Sequence, residues 1–95
     1  MILQFDNKIF DTNKMEFISE KCEWEYKDPN TYVVHKAYNV KLWRTKKDEW
    51  LLTYSTNYYP NCGQVLKRGR AREYLRKYDP EMCKKIFKDE EDEYA

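Results

Sequence analysis

Glycine is scarce in this chain of 95 residues, which contains only Gly63 and Gly69. A phosphate-cradling loop needs several glycines close together, and a flexible linker needs a run rich in glycine or serine, so neither feature can be built here. No apolar run approaches the roughly 20 residues that a membrane-spanning helix requires. The start of the chain also lacks the basic and apolar segments of a signal peptide. We therefore expect a single cytoplasmic domain without a membrane segment.

Histidine and serine, which carry much of enzymatic acid–base and nucleophilic chemistry, are nearly absent. His35 is the only histidine, and Ser19 and Ser55 are the only serines. His35 lies in β-favouring sequence, where a histidine is more often a structural strand residue than a catalyst. Neither serine has the strand–turn–helix context of a nucleophile elbow. We therefore predict no catalytic residues and no enzymatic activity.

Cysteine is present in an odd number and at wide spacing, as Cys22, Cys62 and Cys83. One disulfide with a thiol left over is an alternative, but such a set is typical of reduced thiols in a cytosolic protein. Together with His35 the cysteines match the ligand types of a zinc site, but not the close CxxC or HxxxH spacing that structural zinc sites show. The sequence therefore predicts no metal and no cofactor.

The strongest structural pattern is an alternation of apolar and polar residues over residues 38–56. β-Branched and aromatic residues alternate with polar ones on both sides of a polar turn at residues 46–49. This pattern is typical of a β-hairpin with one buried face. The predicted buried face consists of Tyr38, Val40, Leu42, Trp50, Leu52 and Tyr54.

Further strands are predicted on both sides of this hairpin. Residues 8–10 and 15–24 are extended candidates; apolar residues in the second also fit a helical stripe, but its aromatic content favours a strand. From Thr31 the β-favouring residues can run as one long strand into the hairpin. Residues 64–66 are either a last strand or a connector. We predict an antiparallel meander of residues 15–24 and the two hairpin strands, with residues 8–10 on an edge.

The hydrophobic period changes near the C-terminus. Residues 70–78 place apolar side chains at helical spacing. Asp79 and Pro80 then form a helix start signal, an N-cap acid followed by proline at the first helical position, so a second helix is predicted over residues 80–88. Strands followed by helices predict an α+β domain over residues 1–88, with an antiparallel meander of three to five strands and both helices packed on one face.

An acidic block follows the second predicted helix. It consists of Asp89, Glu90, Glu91, Asp92 and Glu93. We expect residues 89–95 to form a frayed tail. Its carboxylates are suited to imitate the phosphates of a nucleic acid in the basic groove of a partner. The alternatives are that they cover the protein's own arginines, or that they serve only solubility.

A basic stretch over residues 67–77 contains a single acid. Three of its arginines recur every four residues, on one side of the predicted helix. These are Arg68, Arg72 and Arg76. Tyr58 and Tyr59 precede the stretch, and arginine near exposed aromatic rings suits binding of a single-stranded nucleic acid. The formal net charge of only +1 favours the alternative, an ordinary solvated helix face, because nucleic-acid-binding domains are usually clearly basic.

Trp43 is the remaining candidate for a binding residue. If the predicted buried face packs on the helices, Trp43 points to the opposite side of the sheet, together with Lys41 and Thr45. Tryptophan, tyrosine and arginine are enriched at the centres of protein interfaces, and an antiparallel sheet covered on one face can offer the other for docking. The alternative is that Trp43 packs under the N-terminal strands or a loop.

Several short motifs resemble a family of small proteins from phages and mobile elements of Firmicutes. The resemblance spans most of the chain. The matching segments are Lys8-Ile-Phe-Asp-Thr12 with Met15 to Ile18, Leu42-Trp-Arg-Thr-Lys46 with Trp50-Leu-Leu52, and Ala71-Arg-Glu-Tyr-Leu75 with Lys85-Ile-Phe87. Two positions depart from the pattern: Asp48 stands where the hairpin usually has glycine, and Lys67 stands where a serine or threonine would cap the first helix.

The resemblance brings no catalytic residues to this chain. It implies a non-enzymatic protein of phage or mobile-element origin that blocks a host protein by binding it stoichiometrically, as inhibitors of CRISPR–Cas effectors do. The residues expected to bind the partner are Trp43, Tyr58, Tyr59, Arg68, Arg72 and Arg76. Two alternatives stay open: an accessory protein that binds nucleic acid through residues 67–77, and a structural homodimer that buries the exposed sheet face.

Overall fold

The computed structural model describes residues 1–5 and 7–88. Within them the chain is α+β, as the sequence predicts, with eight strands paired in antiparallel sheets and two C-terminal helices. The strands are β1 (Ile2–Phe5), β2 (Lys8–Asp11), β3 (Glu16–Ser19), β4 (Glu25–Lys27), β5 (Val34–Lys36), β6 (Tyr38–Arg44), β7 (Trp50–Ser55) and β8 (Cys62–Leu66). The helices are α1 (Arg68–Tyr78) and α2 (Pro80–Ile86), and a 3-10 turn spans Thr12–Lys14.

The central sheet has four strands in the order β3-β6-β7-β8. The predicted meander is confirmed, since β3, β6 and β7 are neighbours and all of their pairs are antiparallel. The predicted turn between β6 and β7 also forms, with Asp48 in the left-handed backbone region at φ 64°. Residues 64–66, for which the sequence left two alternatives, belong to the edge strand β8.

One face of this sheet packs against the helices and forms the main core. The apolar period of α1 places Ala71 and Leu75 inward, and both are fully buried. Phe87, which ends α2, stacks on Trp50 with ring centroids 5.5 Å apart. The buried residues of this core are Ile18, Cys22, Val40, Leu42, Trp50, Leu52, Leu66, Ala71, Leu75 and Phe87. Burial of these side chains is the main source of stability for so small a domain.

The opposite face of the sheet is partly covered by the N-terminal hairpin of β1 and β2. A methyl group added at Gly63 would lie 2.6 Å from Leu3 Cδ1 and 3.2 Å from Phe5 Cζ, so this hairpin rests directly on β8. Leu51 lies beneath it and is fully buried. The prediction that residues 8–10 form a sheet edge is therefore wrong. They pair with β1, which the sequence analysis did not predict, and the hairpin stacks on the sheet instead of extending it.

Two predicted strands are also shorter than expected. The strand over residues 15–24 is confirmed only at Glu16–Ser19. The long strand expected from Thr31 is broken, because β5 pairs with β4 as a separate hairpin. Ala37 separates β5 from β6, and its N–H donates to the carbonyl of Trp24 at 2.8 Å. Local pattern could not reveal this break, since β-favouring residues lie on both sides of it.

A β-bulge in β6 changes the direction of Tyr38. Tyr38 pairs with Ser55 and Lys41 pairs with Thr53, so three steps along β6 match two along β7. The extra residue is accommodated by Asn39, which has a φ of 54°. Paired residues share a face of the sheet, and Ser55 lies on the face opposite the helices. The expectation that Tyr38 faces the helices is therefore wrong, because the bulge reverses the alternation.

Candidate partner-binding surfaces

The face of the sheet opposite the helices is only partly covered. The N-terminal hairpin lies over the side of β7 and β8, where Leu51 is fully buried. On the side of β3 and β6, Phe17 is 47% exposed and Tyr38 is 49% exposed. Lys41 and Trp43 of β6 share this side with them. We call the surface formed by Phe17, Tyr38, Lys41 and Trp43 the open face.

Trp43 is held rigidly in the open face. Its indole N–H donates to the hydroxyl oxygen of Thr53 at 2.9 Å, and its ring meets Phe17 edge-on with centroids 5.3 Å apart. The side chain lies opposite the helices, where the sequence analysis placed it, and it is half-buried. Its neighbour Thr45 lies in the turn after β6, where its hydroxyl accepts from the N–H of Glu49.

Tyr58 and Tyr59 lie in the turn between β7 and β8 and are 66% and 69% exposed. The hydroxyl oxygen of Thr56 accepts from both of their backbone N–H groups, at 3.2 Å and 2.9 Å. The hydroxyl of Tyr38 donates to the carbonyl of Thr56 at 3.1 Å. Thr56 therefore links the open face to the turn. We call Tyr38, Tyr58 and Tyr59 the tyrosine cluster.

The arginines belong to a different surface. Arg68 forms an ion pair with Asp48 of the β6–β7 turn, and its guanidinium lies 4.8 Å from the ring centroid of Phe87. Arg72 and Arg76 follow along α1 on the helix side of the sheet, and the thiol of Cys83 lies 3.8 Å from the carbonyl oxygen of Arg72. Strand β8 separates Arg68 from Tyr59 along the chain.

The six predicted partner-binding residues therefore divide into two groups. Trp43, Tyr58 and Tyr59 belong to the open face and its adjoining turn, whereas the arginines lie in the helix layer. Sequence proximity suggested one combined patch of tyrosines and arginines. The five residues of β8 carry the chain from the turn that holds Tyr58 and Tyr59 to Arg68, which pairs with Asp48 at the opposite end of the sheet, so nearness in sequence does not bring Arg68 to the tyrosines. The predicted acidic residues Asp89 to Glu93 lie outside the described residues.

Charge is strongly segregated along the chain. Residues 1–66 contain nine basic and nine acidic side chains, and residues 67–88 contain nine basic and three acidic ones. The remaining five acids all lie in residues 89–93. The overall charge of +1 thus conceals a nearly neutral sheet region and a helix layer with a net charge of +6. A count by segment would have revealed this from the sequence.

Several ionisable groups of the interior and of the turns have structural partners. Asp79 is buried between the helices, and it accepts from the hydroxyl of Ser19 at 2.7 Å and the N–H of Met82 at 3.4 Å. Burial, together with the nearby Asp79 carboxylate, raises the pKa of the Cys22 thiol to about 11. The N–H of Asn30 donates to Asp28 and lowers the pKa of that exposed carboxyl. The hydrogen bonds of Asp79 and Asp28 stabilise a helix start and a turn.

His35 and the cysteines do not gather into a site. His35 stacks on Tyr26 across the β4–β5 hairpin, with ring centroids 5.4 Å apart. Cys22 is buried in the main core, and all three cysteines are free thiols. Among residues 1–5 and 7–88, no group of three or more metal-ligating side chains is close enough to hold an ion. In the same residues neither helix has the length and apolar character to cross a membrane.

Comparison with known proteins adds no relative. No protein-family model, curated protein or solved structure matches this chain. The resemblance to small phage and mobile-element proteins therefore stays a prediction.

Proposed function

We propose that this chain is a non-enzymatic binding protein of phage or mobile-element origin that occludes a functional surface of a host protein. The observation that carries the proposal is the open face together with the tyrosine cluster. Trp43, which is held by its hydrogen bond to Thr53, stands with the 47%-exposed Phe17 and the exposed Tyr38 on the sheet face that the helices do not cover. The exposed Tyr58 and Tyr59 lie in the adjoining turn. Aromatic anchors of this kind dominate the energetics of protein interfaces.

The form of this surface suits a protein partner better than a small molecule. It is the exposed side of a sheet, whereas small ligands need a concave pocket that buries most of their surface. The side chains of Trp43 and Tyr38 keep their positions through hydrogen bonds to Thr53 and Thr56, so these two lose little conformational entropy on binding. Binding at such a surface blocks whatever the partner does with the area that is covered, and no reaction is required.

The class of partner comes from the resemblance. Small mobile-element proteins without catalytic residues commonly inhibit host defence, and CRISPR–Cas effectors are the class of target that we propose. The test is to titrate this protein into a panel of purified effectors from Firmicutes while target cleavage is measured. Occlusion predicts that cleavage falls in proportion to added protein and stops at an equimolar ratio, as a 1:1 or 2:2 complex requires.

Two double variants test whether inhibition of cleavage depends on the tyrosine cluster. Tyr58→Ala combined with Tyr59→Ala removes two interface anchors without touching the core, and we expect at least about tenfold weaker inhibition. Tyr32→Ala combined with Val33→Ala changes two exposed residues in the β4–β5 hairpin and should leave inhibition unchanged. Equal loss in both doubles, or no inhibition of any effector, would count against the proposal.

Light scattering distinguishes the homodimer alternative, which uses the same surface, from occlusion of a host protein. If the open face and the tyrosine cluster bury themselves in a second copy, the mass of the particle will fall from two chains to one on dilution. The tyrosine double variant will then be monomeric at every concentration. A monomer throughout leaves the open face available for another protein.

A further inference from the structure

We infer that the outer surface of the α1–α2 layer binds the phosphate backbone of nucleic acid. The inference rests on the helix layer and not on the open face, so it stands or falls independently of the proposed occlusion function. Its basis is the concentration of positive charge: residues 67–88 carry nine basic and three acidic side chains, whereas the 66 residues before them are balanced. A basic face of this kind is the electrostatic footprint of phosphate recognition.

The acids of this layer neutralise little of that charge. The carboxylate of Asp79 is buried, and it accepts hydrogen bonds from the hydroxyl of Ser19 and from the first turn of α2. Glu73 is paired with Arg70 of the same helix at 3.3 Å. Glu81 is the one remaining acid among residues 67–88. Carboxylates outside the layer also border it, since Asp48 pairs with Arg68, and Glu23 and Glu25 line the same hollow as Arg70 and Lys77. The positive charge offered to an approaching phosphate therefore comes chiefly from the lysines.

The lysines of the layer are available to solvent. Each is exposed, and none forms an ion pair with any residue that the structure describes. These lysines are Lys67, Lys77, Lys84, Lys85 and Lys88. A lysine ammonium acts as a point charge on phosphate without a fixed geometry, which suits contacts that are independent of base sequence.

The dimensions of the layer fit a short length of backbone. Helix α1 has 11 residues, which corresponds to about 16 Å at 1.5 Å per residue. One strand of a nucleic acid presents a phosphate roughly every 3.4 Å along the axis, so α1 spans about five phosphates. The contact between Cys83 and Arg72 holds α2 beside α1, which widens the basic surface.

A membrane surface is the less suitable polyanion. A helix that lies on a bilayer inserts an apolar face between the lipids. The apolar faces of both helices are already used, since Ala71, Leu75 and Phe87 are buried in the core. Electrostatic attraction alone would remain, without the apolar insertion that anchors a helix in the surface of a bilayer.

The acidic residues 89–93 follow the last lysine of this layer directly, so five carboxylates are tethered to a surface that attracts phosphate. A tethered charge is present at a high effective concentration. We therefore expect these residues to compete with nucleic acid, and their removal to strengthen binding.

The experiment measures the anisotropy of fluorescein-labelled 20-nucleotide single strands and 20-base-pair duplexes from 50 to 300 mM salt. We expect binding at about 50 mM salt that weakens linearly on a log–log plot with a slope of several units, as counterion release requires. Deletion of residues 89–95 should tighten binding severalfold. Absence of binding to every oligonucleotide at 50 mM salt by both the full chain and the deletion overturns the inference.

Two triple variants with the same loss of charge locate the site. Lys84→Gln, Lys85→Gln and Lys88→Gln together should weaken binding about tenfold or more at low salt and reduce the slope by two to three. The matched control changes the exposed Lys14, Lys46 and Lys47, in the 3-10 turn and the β6–β7 turn, to glutamine. The control should lose less than about threefold. Equal losses in both triples, or binding to phosphatidylserine vesicles with none to oligonucleotides, overturns the assignment.

Discussion

The hydroxyl of Ser19 donates a hydrogen bond of 2.7 Å to the carboxylate of Asp79, across 60 residues of sequence. Ser19 ends β3, and Asp79 is the single residue between α1 and α2. Both side chains are buried. The same carboxylate caps α2 by accepting from the N–H of Met82. This contact therefore fixes the position of both helices relative to the edge of the sheet.

Removal of either partner should destabilise the fold. Asp79→Ala loses a helix cap and a charged buried hydrogen bond, which together are worth about 2–4 kcal/mol. Ser19→Ala should cost about 1–3 kcal/mol, because the carboxylate stays buried with one donor fewer. Urea unfolding of both single variants and the double variant measures the coupling. Strictly additive losses would show that the two side chains act independently, and Glu81→Gln serves as an exposed control.

The two glycines should respond in opposite directions to alanine. At Gly63 the new methyl group would lie 2.6 Å from Leu3 Cδ1, the end of a flexible side chain, so Leu3 has to move aside, at a cost of about 1 kcal/mol. At Gly69, in the first turn of α1, nothing lies within 4 Å of the new methyl group. There alanine should stabilise by about 0.5–1 kcal/mol through its helix propensity. Urea midpoints of the two variants measure both effects, and a Gly63→Ala protein more stable than the parent would contradict the close contact between Leu3 and β8.

The bulge at Asn39 can be tested through its backbone. Its φ of 54° is accessible to glycine and asparagine but strained for a β-branched residue. Asn39→Val should cost about 1–3 kcal/mol, whereas Asn39→Gly should stay within about 0.5 kcal/mol of the parent. Thermal unfolding measures both. A valine variant as stable as the glycine variant would contradict the left-handed conformation that turns Tyr38 to the open face.

The first helix lacks a side-chain cap, and supplying one should stabilise the protein. Lys67 occupies the N-cap position with extended backbone angles and makes no capping hydrogen bond. Lys67→Ser should add about 1 kcal/mol and raise the melting temperature by about 4–8 °C. Lys46→Ser, in an exposed turn, removes the same charge without a helix to cap and should change the melting temperature little. A response shared by the two variants would mean that charge, and not capping, is responsible.

The Cys22 thiol makes stability depend on pH in the alkaline range. Its pKa is raised from 9.0 to about 11 by burial, with a contribution from Asp79. Because the folded state holds the thiol proton more strongly, this stabilisation is complete below pH 9 and is lost as the pH rises towards 11. With solvent screening it amounts to at most about 2 kcal/mol. Chemical unfolding at pH 8 and pH 10.5 should show a larger loss for the parent than for Cys22→Ala. Equal losses would place Cys22 in contact with water.

Reactivity gives a second view of the same thiol. At pH 8 and without denaturant, iodoacetamide should modify Cys62 and Cys83 before Cys22, since only Cys22 is fully enclosed in the core. Mass spectrometry of a time course resolves the order, and in urea the three rates should converge. Early modification of Cys22 in the folded protein would contradict its burial.

Local patterns predicted the α+β class, the β6–β7 hairpin and both helices. The Asp79–Pro80 start signal is a strictly local device, and α2 begins where it indicates. The alternation over residues 40–44 and 50–54 depends on strand geometry, which is also local. The N-terminal hairpin was missed because Ile2–Phe5 has no pattern that distinguishes a strand from an irregular start. Its partner and its place over Gly63 depend on contacts between distant residues.

Among the candidate surfaces, only Trp43 was placed by reasoning about alternation alone. Grouping Tyr58 and Tyr59 with Arg68 failed geometrically, because β8 carries the chain across the sheet between them. The place of Tyr38 in the tyrosine cluster was equally hidden, since a single bulge residue reverses which face it joins. The charge of the helix layer, in contrast, was readable from residues 67–88 and was obscured only by averaging over the whole chain.

The order of strands and helices, the helix boundaries at Asp79 and the distribution of charge were determined by the amino-acid sequence, because each depends on residues that are close together along the chain. Which part of the second sheet face stays uncovered was decided only in three dimensions. The hairpin of β1 and β2 covers one half, and the bulge at Asn39 directs Tyr38 to the other. Both depend on packing between segments far apart in sequence, and such packing has no local signature.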